Sequence, residues 1–122
     1  MKALPTRALL PGKRCVKQAE NQLVFAGQLV KDAEIRTTPA GIRIARFMLA
    51  HHSRREEAGQ VREVECRLTV IASGEPLTSR VERCSAGDSL KVTGFLSRAG
   101  YRATDGRIEL HALHIETVED NG

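Results

Sequence analysis

The sequence predicts an all-β fold, and two features of its pattern carry that prediction. From residue 21 onward, short alternating apolar segments recur, and turns containing Gly or Pro divide them. The alternation breaks between the third and fourth segments, and long polar loops follow the first, second and fourth. A five-stranded OB-fold Greek-key barrel with extended hairpin loops closes such strands most economically. An α+β sandwich of the same strands would also satisfy the pattern.

The first two strands follow from alternation. Strand one covers 21–30, where Gly27 inside an apolar pattern indicates a bulge or a sharp bend. A turn at 37–41, containing Pro39 and Gly41, precedes strand two. The alternation of strand two predicts a buried face of Ala45, Phe47 and Leu49.

The remaining strands lie on either side of a short helical turn predicted at 77–84. Residues 52–60 have no apolar periodicity and are predicted as a hairpin loop with Gly59 near its tip. Strand three follows at 61–71, strand four covers 89–98 and strand five covers 108–118. On strand three the predicted inward residues are Val64, Cys66, Leu68 and Val70, and Arg62, Glu63, Glu65 and Arg67 point mostly outward.

The 122-residue chain fits one domain, predicted at 21–118, with a disordered basic arm at 1–20 and a polar tail at 119–122. The arm carries five basic side chains and one acidic one, so its net charge is 5 − 1 = +4. The formal net charge of the whole chain is also +4. The domain itself is therefore nearly neutral, and an anion site in it requires local charge segregation.

The cellular compartment predicted from the sequence is the cytoplasm. Pro5 and Pro11 interrupt the apolar part of the arm, so it does not fit a signal peptide. Three widely spaced cysteines fit free thiols in a reducing compartment. The apolar runs are too short for a spanning helix, so no membrane association is expected.

Enzymatic signatures are absent from the sequence. It contains no G-x-x-x-x-G-K, G-x-G-x-x-G or G-x-S-x-G motif, so we expect neither an enzyme nor a cofactor. The histidine pairs 51–52 and 111–114 do not converge on a strand, because positions i, i+1 and i, i+3 point to opposite faces. Without clustered cysteines, no metal site is predicted.

The loop at 97–107 has the composition of a nucleic-acid contact. Arg98, Arg102 and Arg107 outnumber Asp105, and Tyr101 adds an aromatic ring. Arginine forms bidentate hydrogen bonds with phosphates, and a base can stack on the tyrosine ring. Proteins that bind single-stranded nucleic acid combine these two residue types. A solvated surface loop would have a similar composition.

Other cations could approach the same groove of a barrel: Lys31 and Arg36 around the first loop, Arg43 and Arg46 on strand two, and Arg62 on strand three. The run 54–57 (Arg-Arg-Glu-Glu) is locally neutral and a weaker candidate.

The ordered segments NQLVFAG, TPAGIRIARFMLAHHS, EEAG, VIASG, VTGFLS and LHALHIE resemble primosomal replication protein N, the PriB family. The resemblance covers 21–118. It implies a homodimeric OB-fold relative of bacterial single-stranded DNA-binding protein. It also implies that the chain binds single-stranded DNA as an accessory protein of the replication-restart primosome, and bridges the restart helicase to later primosome components.

The resemblance also implies a set of DNA-binding residues. By position these are Arg36, Arg62, Arg102 and Arg107, with Lys31 and His52 matching less securely. The sequence departs from the family at Glu65 and Gln60, where the best-known members have aromatic residues. Base stacking contributes about 1–3 kcal/mol per base, so we expect weaker and more salt-sensitive DNA binding than is typical.

Two other functions stay open. The first is a coating-type single-stranded DNA-binding protein, although such proteins normally carry a long tail with an acidic tip and this chain stops at "EDNG". The second is a protein-interaction OB module with little affinity for nucleic acid, which the neutral domain and the missing aromatics favour. Likewise, the charged hairpin is interpreted either as a contact for a partner or as a device that prevents edge pairing.

Overall fold

The computed structural model describes residues 19–100 and 106–118, which form six strands and one short helix. The elements are β1 (Leu23–Leu29), β2 (Glu34–Thr37), β3 (Arg43–Glu57), β4 (Gln60–Ser73), α1 (Leu77–Glu82), β5 (Ser89–Arg98) and β6 (Ile108–Thr117). The predicted tail, and the predicted arm up to residue 18, lie outside the described residues, so the domain boundaries stay a prediction.

Five of the strands form a closed barrel, which confirms the predicted fold class. The sheet order is β1-β5-β6-β4-β3-β2, and the pairing of β1 with β3 closes the ring. The β4–β6 pairing is parallel and the others are antiparallel. The short strand β2, which the sequence pattern did not separate from the first loop, pairs with β3 and lies outside the ring.

The barrel interior is filled by small and medium aliphatic side chains. The predicted inward face of β3 is confirmed, since Ala45, Phe47 and Leu49 are at most 4% exposed. Their counterparts on the other strands include Leu29, Val70, Ala72, Leu90, Val92, Leu110, Ala112 and Ile115. Burial of these side chains holds the strands in a fixed register, because a one-residue slip would turn each of them to solvent.

Two glycines allow backbones to approach closely where the barrel closes and bends. A Cβ at Gly27 would lie 2.6 Å from the carbonyl oxygen of Ala50, next to the point where β1 begins to pair with β3. Gly94 lies at a register shift between β5 and β6, and its missing side chain makes room for the backbone of His111. The bend expected at Gly27 is thus a close strand crossing.

The hairpin predicted at 52–60 is present with Gly59 in its turn, but the prediction that its residues form a loop is wrong, because they are paired strands. Strand β3 runs to Glu57, β4 begins at Gln60, and the strands pair continuously from Ile44↔Ser73 to Glu57↔Gln60. Only Ala58 and Gly59, both with positive φ, form the turn. The hairpin lacks apolar periodicity because charged side chains pair across its two strands where apolar ones would otherwise pack. Arg54 Nε lies 2.9 Å from Glu63, and Arg62 Nε lies 3.0 Å from Glu57.

Helix α1 appears at the predicted helical turn and closes one end of the barrel. Thr78 and Val81 of the helix are fully buried. Glu75, before the helix, accepts hydrogen bonds from the Ser79 amide (3.1 Å) and from the hydroxyls of Thr78 and Ser79 (both 2.5 Å). These bonds, Ser79 first, lower the pKa of Glu75 to about 2.

Arg43 links the helix end to the barrel. Its guanidinium donates to Glu75 (3.1 Å) and to Glu82 (2.7 Å), and the Glu82 bond is the first cause that raises the pKa of Arg43. Arg43 is therefore a structural residue at the start of β3. In the part of the chain that the structure describes, no helix is long and apolar enough to cross a membrane.

Candidate nucleic-acid interface

The outward face of β3 and β4 carries the side chains that alternate with the core. On β3 these include Arg46 and Met48, and on β4 they include Arg67, Thr69 and Ile71. The register places Arg46 opposite Ile71, and Met48 opposite Thr69. Two arginines therefore flank a small, mostly uncharged strip on the outside of the barrel.

Two depressions meet on this face, and we call them together the basic groove. The first, of about 450 Å³, is lined by Val30, Lys31, Asp32, Glu34, Arg46, Phe47, Met48, Arg67 and Thr69. The second, of about 580 Å³, is lined by Arg46, Arg67, Thr69, Ile71, Ala99, Gly100, Arg107, Ile108 and Glu109. Arg46, Arg67 and Thr69 line both depressions, so the two adjoin, with Lys31 lining the first and Arg107 the second.

Two arginines of the groove, Arg46 and Arg67, differ from Arg54 and Arg62 of the hairpin in their partners. Neither Arg46 nor Arg67 forms an ion pair or a side-chain hydrogen bond with any residue in 19–100 or 106–118, whereas Arg54 and Arg62 each contact a carboxylate. Glu34 is the cross-strand partner of Arg46 on β2, yet no ion pair joins their side chains within these ranges. The guanidinium donors of Arg46 and Arg67 are thus available to an anion from solvent.

Two of the three carboxylates of the groove, Asp32 and Glu109, contact other groups of the protein. Asp32 accepts a hydrogen bond from the Ala86 amide at 3.0 Å. The Glu109 side chain is only 13% exposed and lies 3.5 Å from Nε2 of His111. Four basic residues line the groove against three acidic ones, so its formal charge is 4 − 3 = +1.

Four of the predicted site residues lie in or next to the groove. Lys31 and Arg107 line its two ends. Arg36, on β2 opposite Ile44, is exposed on the same side of the sheet. Arg98 ends β5 opposite Ile108 and is exposed beside the lining residue Ala99.

The structure does not bring Arg62 and His52 into the groove. Arg62 and Arg67 are five positions apart on one strand, and an odd spacing puts them on opposite faces. Of these two residues predicted to point mostly outward, Arg67 does so, but the prediction is wrong for Arg62, which is on the face of β4 that carries the buried Val70. His52 is on the groove side but out on the hairpin, with Nε2 at 2.7 Å from Glu63 and 3.9 Å from Glu65.

The other predicted site residues, Tyr101 and Arg102, lie outside the described residues. An aromatic pair that the sequence did not single out lies on the outer face of β5 and β6, where the rings of Phe95 and His111 stack with centroids 5.3 Å apart and an interplanar angle of 4°. Among the described residues, no group of three or more His, Cys, Asp or Glu could hold a metal ion.

Arg46 and Arg67 were missed as a pair by sequence reasoning. The alternation assigns each of them to an outward face, but it does not state which residues of one strand lie beside which residues of the next. That register depends on the exact length of the turn, which is the two residues Ala58 and Gly59, and the sequence predicted only that Gly59 lies near the tip.

Comparison with known proteins places this barrel in a family. A family model described as "Another single-strand binding protein family" matches residues 21–116. Replication restart protein PriB of Photorhabdus laumondii is 37% identical over 99 residues, which cover 81% of this chain and 94% of that protein. PriB of Shewanella halifaxensis is 38% identical over 96 residues, covering 79% and 94%. The chain belongs to the PriB family.

Solved structures agree with the family assignment. PriB from Ralstonia solanacearum superposes with a TM-score of 0.70 at 28% identity, covering 83% of this chain and all of that one. The single-stranded DNA-binding protein of Thermus aquaticus gives a TM-score of 0.69 at 25% identity, over 84% of this chain and 52% of that one. A Plasmodium falciparum SSB complex with ssDNA, 11% identical with a TM-score of 0.71, shares the fold alone.

Proposed function

We propose that this PriB-family protein binds single-stranded DNA along the basic groove and acts in replication restart. The observation that carries the proposal is the pair Arg46 and Arg67, which line both depressions of the groove without a carboxylate partner among the described residues. Positive side chains lining a groove are the means by which single-stranded DNA binders follow a phosphate backbone. The names of its relatives, replication restart proteins, support the cellular role.

The groove supplies phosphate contacts more readily than base stacking. Its centre offers Met48, Thr69 and Ile71, which give apolar contact but no aromatic face. Affinity would depend mainly on the release of counterions from phosphates. For a single strand, each phosphate contact makes the slope of log K against log salt steeper by about 0.7. Binding without sequence preference and with strong salt dependence is expected.

The finer role proposed is that of an accessory protein that bridges the restart helicase to later primosome components. The hairpin formed by the ends of β3 and β4 suits a protein contact, because it extends beyond the barrel and carries charge on both faces. A homodimer would place two grooves on one particle and raise affinity through bivalency. Light scattering of the purified chain tests the dimer directly.

Fluorescence anisotropy with labelled oligo-dT at several salt concentrations tests the proposed DNA binding. The double variant Arg46→Ala, Arg67→Ala should bind more weakly, with a log K against log salt slope reduced by about 1.4 for two lost contacts. Arg83→Ala is the matched control, since Arg83 is exposed after α1 and does not line the groove.

Absence of binding by the intact protein at low salt would overturn the proposal and favour the protein-interaction module. Equal affinities of the double variant and the wild type would place the DNA elsewhere on the surface. A coating-type protein would be indicated by saturation of a long oligonucleotide with closely spaced protein.

A further inference from the structure

A stacked pair of rings, Phe95 of β5 and His111 of β6, lies on the outer face of the barrel. The two residues are cross-strand partners, and their ring centroids are 5.3 Å apart with an interplanar angle of 4°. Leu110 and Ala112, on either side of His111, are both buried, so the alternation of β6 turns His111 outward. The pair therefore faces solvent and not the core.

Phe95 differs from the other two phenylalanines of the chain in its exposure. Phe47 is buried inside the barrel, and Phe25 packs against the core. Phe95 is 37% exposed, and the side chain of its partner His111 is 31% exposed. Core packing therefore accounts for two of the phenylalanines but not for Phe95.

The aromatic pair adjoins the basic groove. The parallel pairing of β4 with β6 places Ile71 beside His111, and Ile71 lines the second depression. One row across four neighbouring strands therefore consists of Arg46, Ile71, His111 and Phe95. Neighbouring strands are about 4.8 Å apart, which puts Phe95 roughly 10 Å beyond Ile71. A DNA strand in the groove can reach the rings along the outer face of the same sheet.

The aromatic pair suits a base better than a phosphate. The carboxylate of Glu109, which also lines the second depression, lies 3.5 Å from Nε2 of His111. A negative charge at this point repels phosphates, whereas a neutral base can stack on an aromatic ring. The groove has the opposite character, because Arg46 and Arg67 offer it guanidinium donors. The two surfaces can therefore hold different parts of one strand.

A second copy of the chain is the other occupant to consider for this face, because Val24 and Leu113 are also exposed on β1 and β6. The direct cross-strand neighbours of Val24 and Phe95 are polar, however: Thr93 and His111. An interface between proteins needs a contiguous apolar core, whereas a stacked base needs only one ring. The interspersed polar side chains and the adjoining groove both favour the base.

We propose that Phe95, backed by His111, forms a stacking platform that holds a base of single-stranded DNA beside the basic groove. This inference rests on the proposed DNA binding and adds a base contact to its phosphate contacts. Stacking on one aromatic side chain raises affinity by about fivefold or more per base. Because the platform contacts no phosphate, its loss should leave the slope of log K against log salt unchanged.

The first experiment measures the anisotropy of labelled oligo-dT and of an abasic oligonucleotide of the same length, which keeps the phosphates and lacks the bases. Phe95→Leu keeps an apolar side chain but removes the ring. This variant should bind oligo-dT about fivefold more weakly than the wild type, with an unchanged salt slope. It should bind the abasic oligonucleotide as tightly as the wild type does. Phe95→Tyr keeps the ring and is the matched control, so it should retain the wild-type affinity for both.

The second experiment detects the stacked base directly. The chain contains no tryptophan, so Phe95→Trp introduces a single fluorescent indole at the platform. Oligo-dT should quench its fluorescence, and the abasic oligonucleotide should not. Leu113→Trp places the indole at another exposed position of β6 and is the control, in which neither oligonucleotide should quench the fluorescence.

Equal affinities of Phe95→Leu and the wild type for oligo-dT would overturn the inference, as would equal quenching in the two tryptophan variants. A weaker affinity of Phe95→Leu together with a smaller particle mass in light scattering would also overturn it, since the face would then join two copies of the chain.

The groove variant Arg46→Ala, Arg67→Ala separates the platform from the proposed function. If only the groove variant binds more weakly, the platform inference fails and the groove stands. If only Phe95→Leu binds more weakly, the platform stands and the DNA does not follow the groove. If the wild type does not bind oligo-dT at low salt, both proposals fail.

Discussion

Arg46 and Arg67 lie on neighbouring strands, face the same side of the β3–β4 sheet, and both line the two halves of the basic groove. The register puts Arg46 opposite Ile71 and Arg67 opposite Ala50, so the two arginines are four positions apart along the ladder, roughly 13 Å. Neither has a carboxylate partner among the described residues. One bound strand can therefore contact both arginines through different phosphates.

Arg107 and Arg62 should contribute unequally to DNA binding. Arg107 lines the groove, whereas Arg62 is on the opposite face of the hairpin with its Nε 3.0 Å from Glu57. We expect Arg107→Ala to lower the salt slope by about 0.7 and Arg62→Ala to change it by much less. Anisotropy titrations of both variants at several salt concentrations measure the difference. A larger loss with Arg62→Ala would show that the DNA follows the hairpin.

That contrast shows what the sequence can and cannot predict. Alternation identified the inward residues of β3, because a period of two is visible within one strand. The charge of Arg62 predicts an outward direction, but its position on β4 puts it on the same face as the buried Val70. The hairpin was predicted, but the residue pairs across it were not, because its ion pairs, such as Arg54 with Glu63, join residues nine positions apart. Those pairs follow only from the exact two-residue turn at Ala58 and Gly59.

Glu65 should weaken DNA binding through local repulsion. It is two positions from Arg67 on the same face of β4, and its side chain is 75% exposed. Glu65→Gln should raise affinity at low salt by about fivefold at most, and the gain should vanish at high salt, where such charges are screened. The control is Glu116→Gln, which removes an exposed carboxylate that does not line the groove. Equal gains from both variants would indicate an effect of net charge alone.

Gly94 should be far less tolerant of a side chain than Gly41. A Cβ at Gly94 would overlap the backbone of His111, whereas Gly41 has open space around it and only a positive φ of 88°. Gly41→Ala should cost about 1 kcal/mol of unfolding free energy for the backbone conformation. Gly94→Ala should cost more, about 2–4 kcal/mol, because backbone must move. Denaturant unfolding of both variants tests this, and similar midpoints would contradict the close approach.

The Glu75 cluster should make stability depend on pH in acid. The folded-state pKa of Glu75, lowered to about 2 by hydrogen bonds from Ser79 and Thr78, is below its ordinary value of 4.5. A depressed carboxyl pKa contributes stability that is fully present above pH 4.5 and is lost as the pH falls toward 2. The melting temperature of Glu75→Gln should therefore lie below that of the wild type near neutral pH. The difference between the two melting temperatures should become smaller as the pH falls from 4.5 toward 2.

Ser79→Ala checks the cause of that shift. It removes the hydroxyl that donates to Glu75 at 2.5 Å, the first cause of the low pKa, and keeps the carboxylate. Because the pKa of Glu75 then lies closer to its ordinary value, its stabilising effect should be smaller and should disappear at a higher pH than in the wild type. Melting curves of the three proteins at intervals from pH 7 to about pH 2 measure this order. A gap between the wild type and Glu75→Gln that stays constant down to the lowest pH would show that the Glu75 carboxylate does not stabilise the junction between α1 and the barrel.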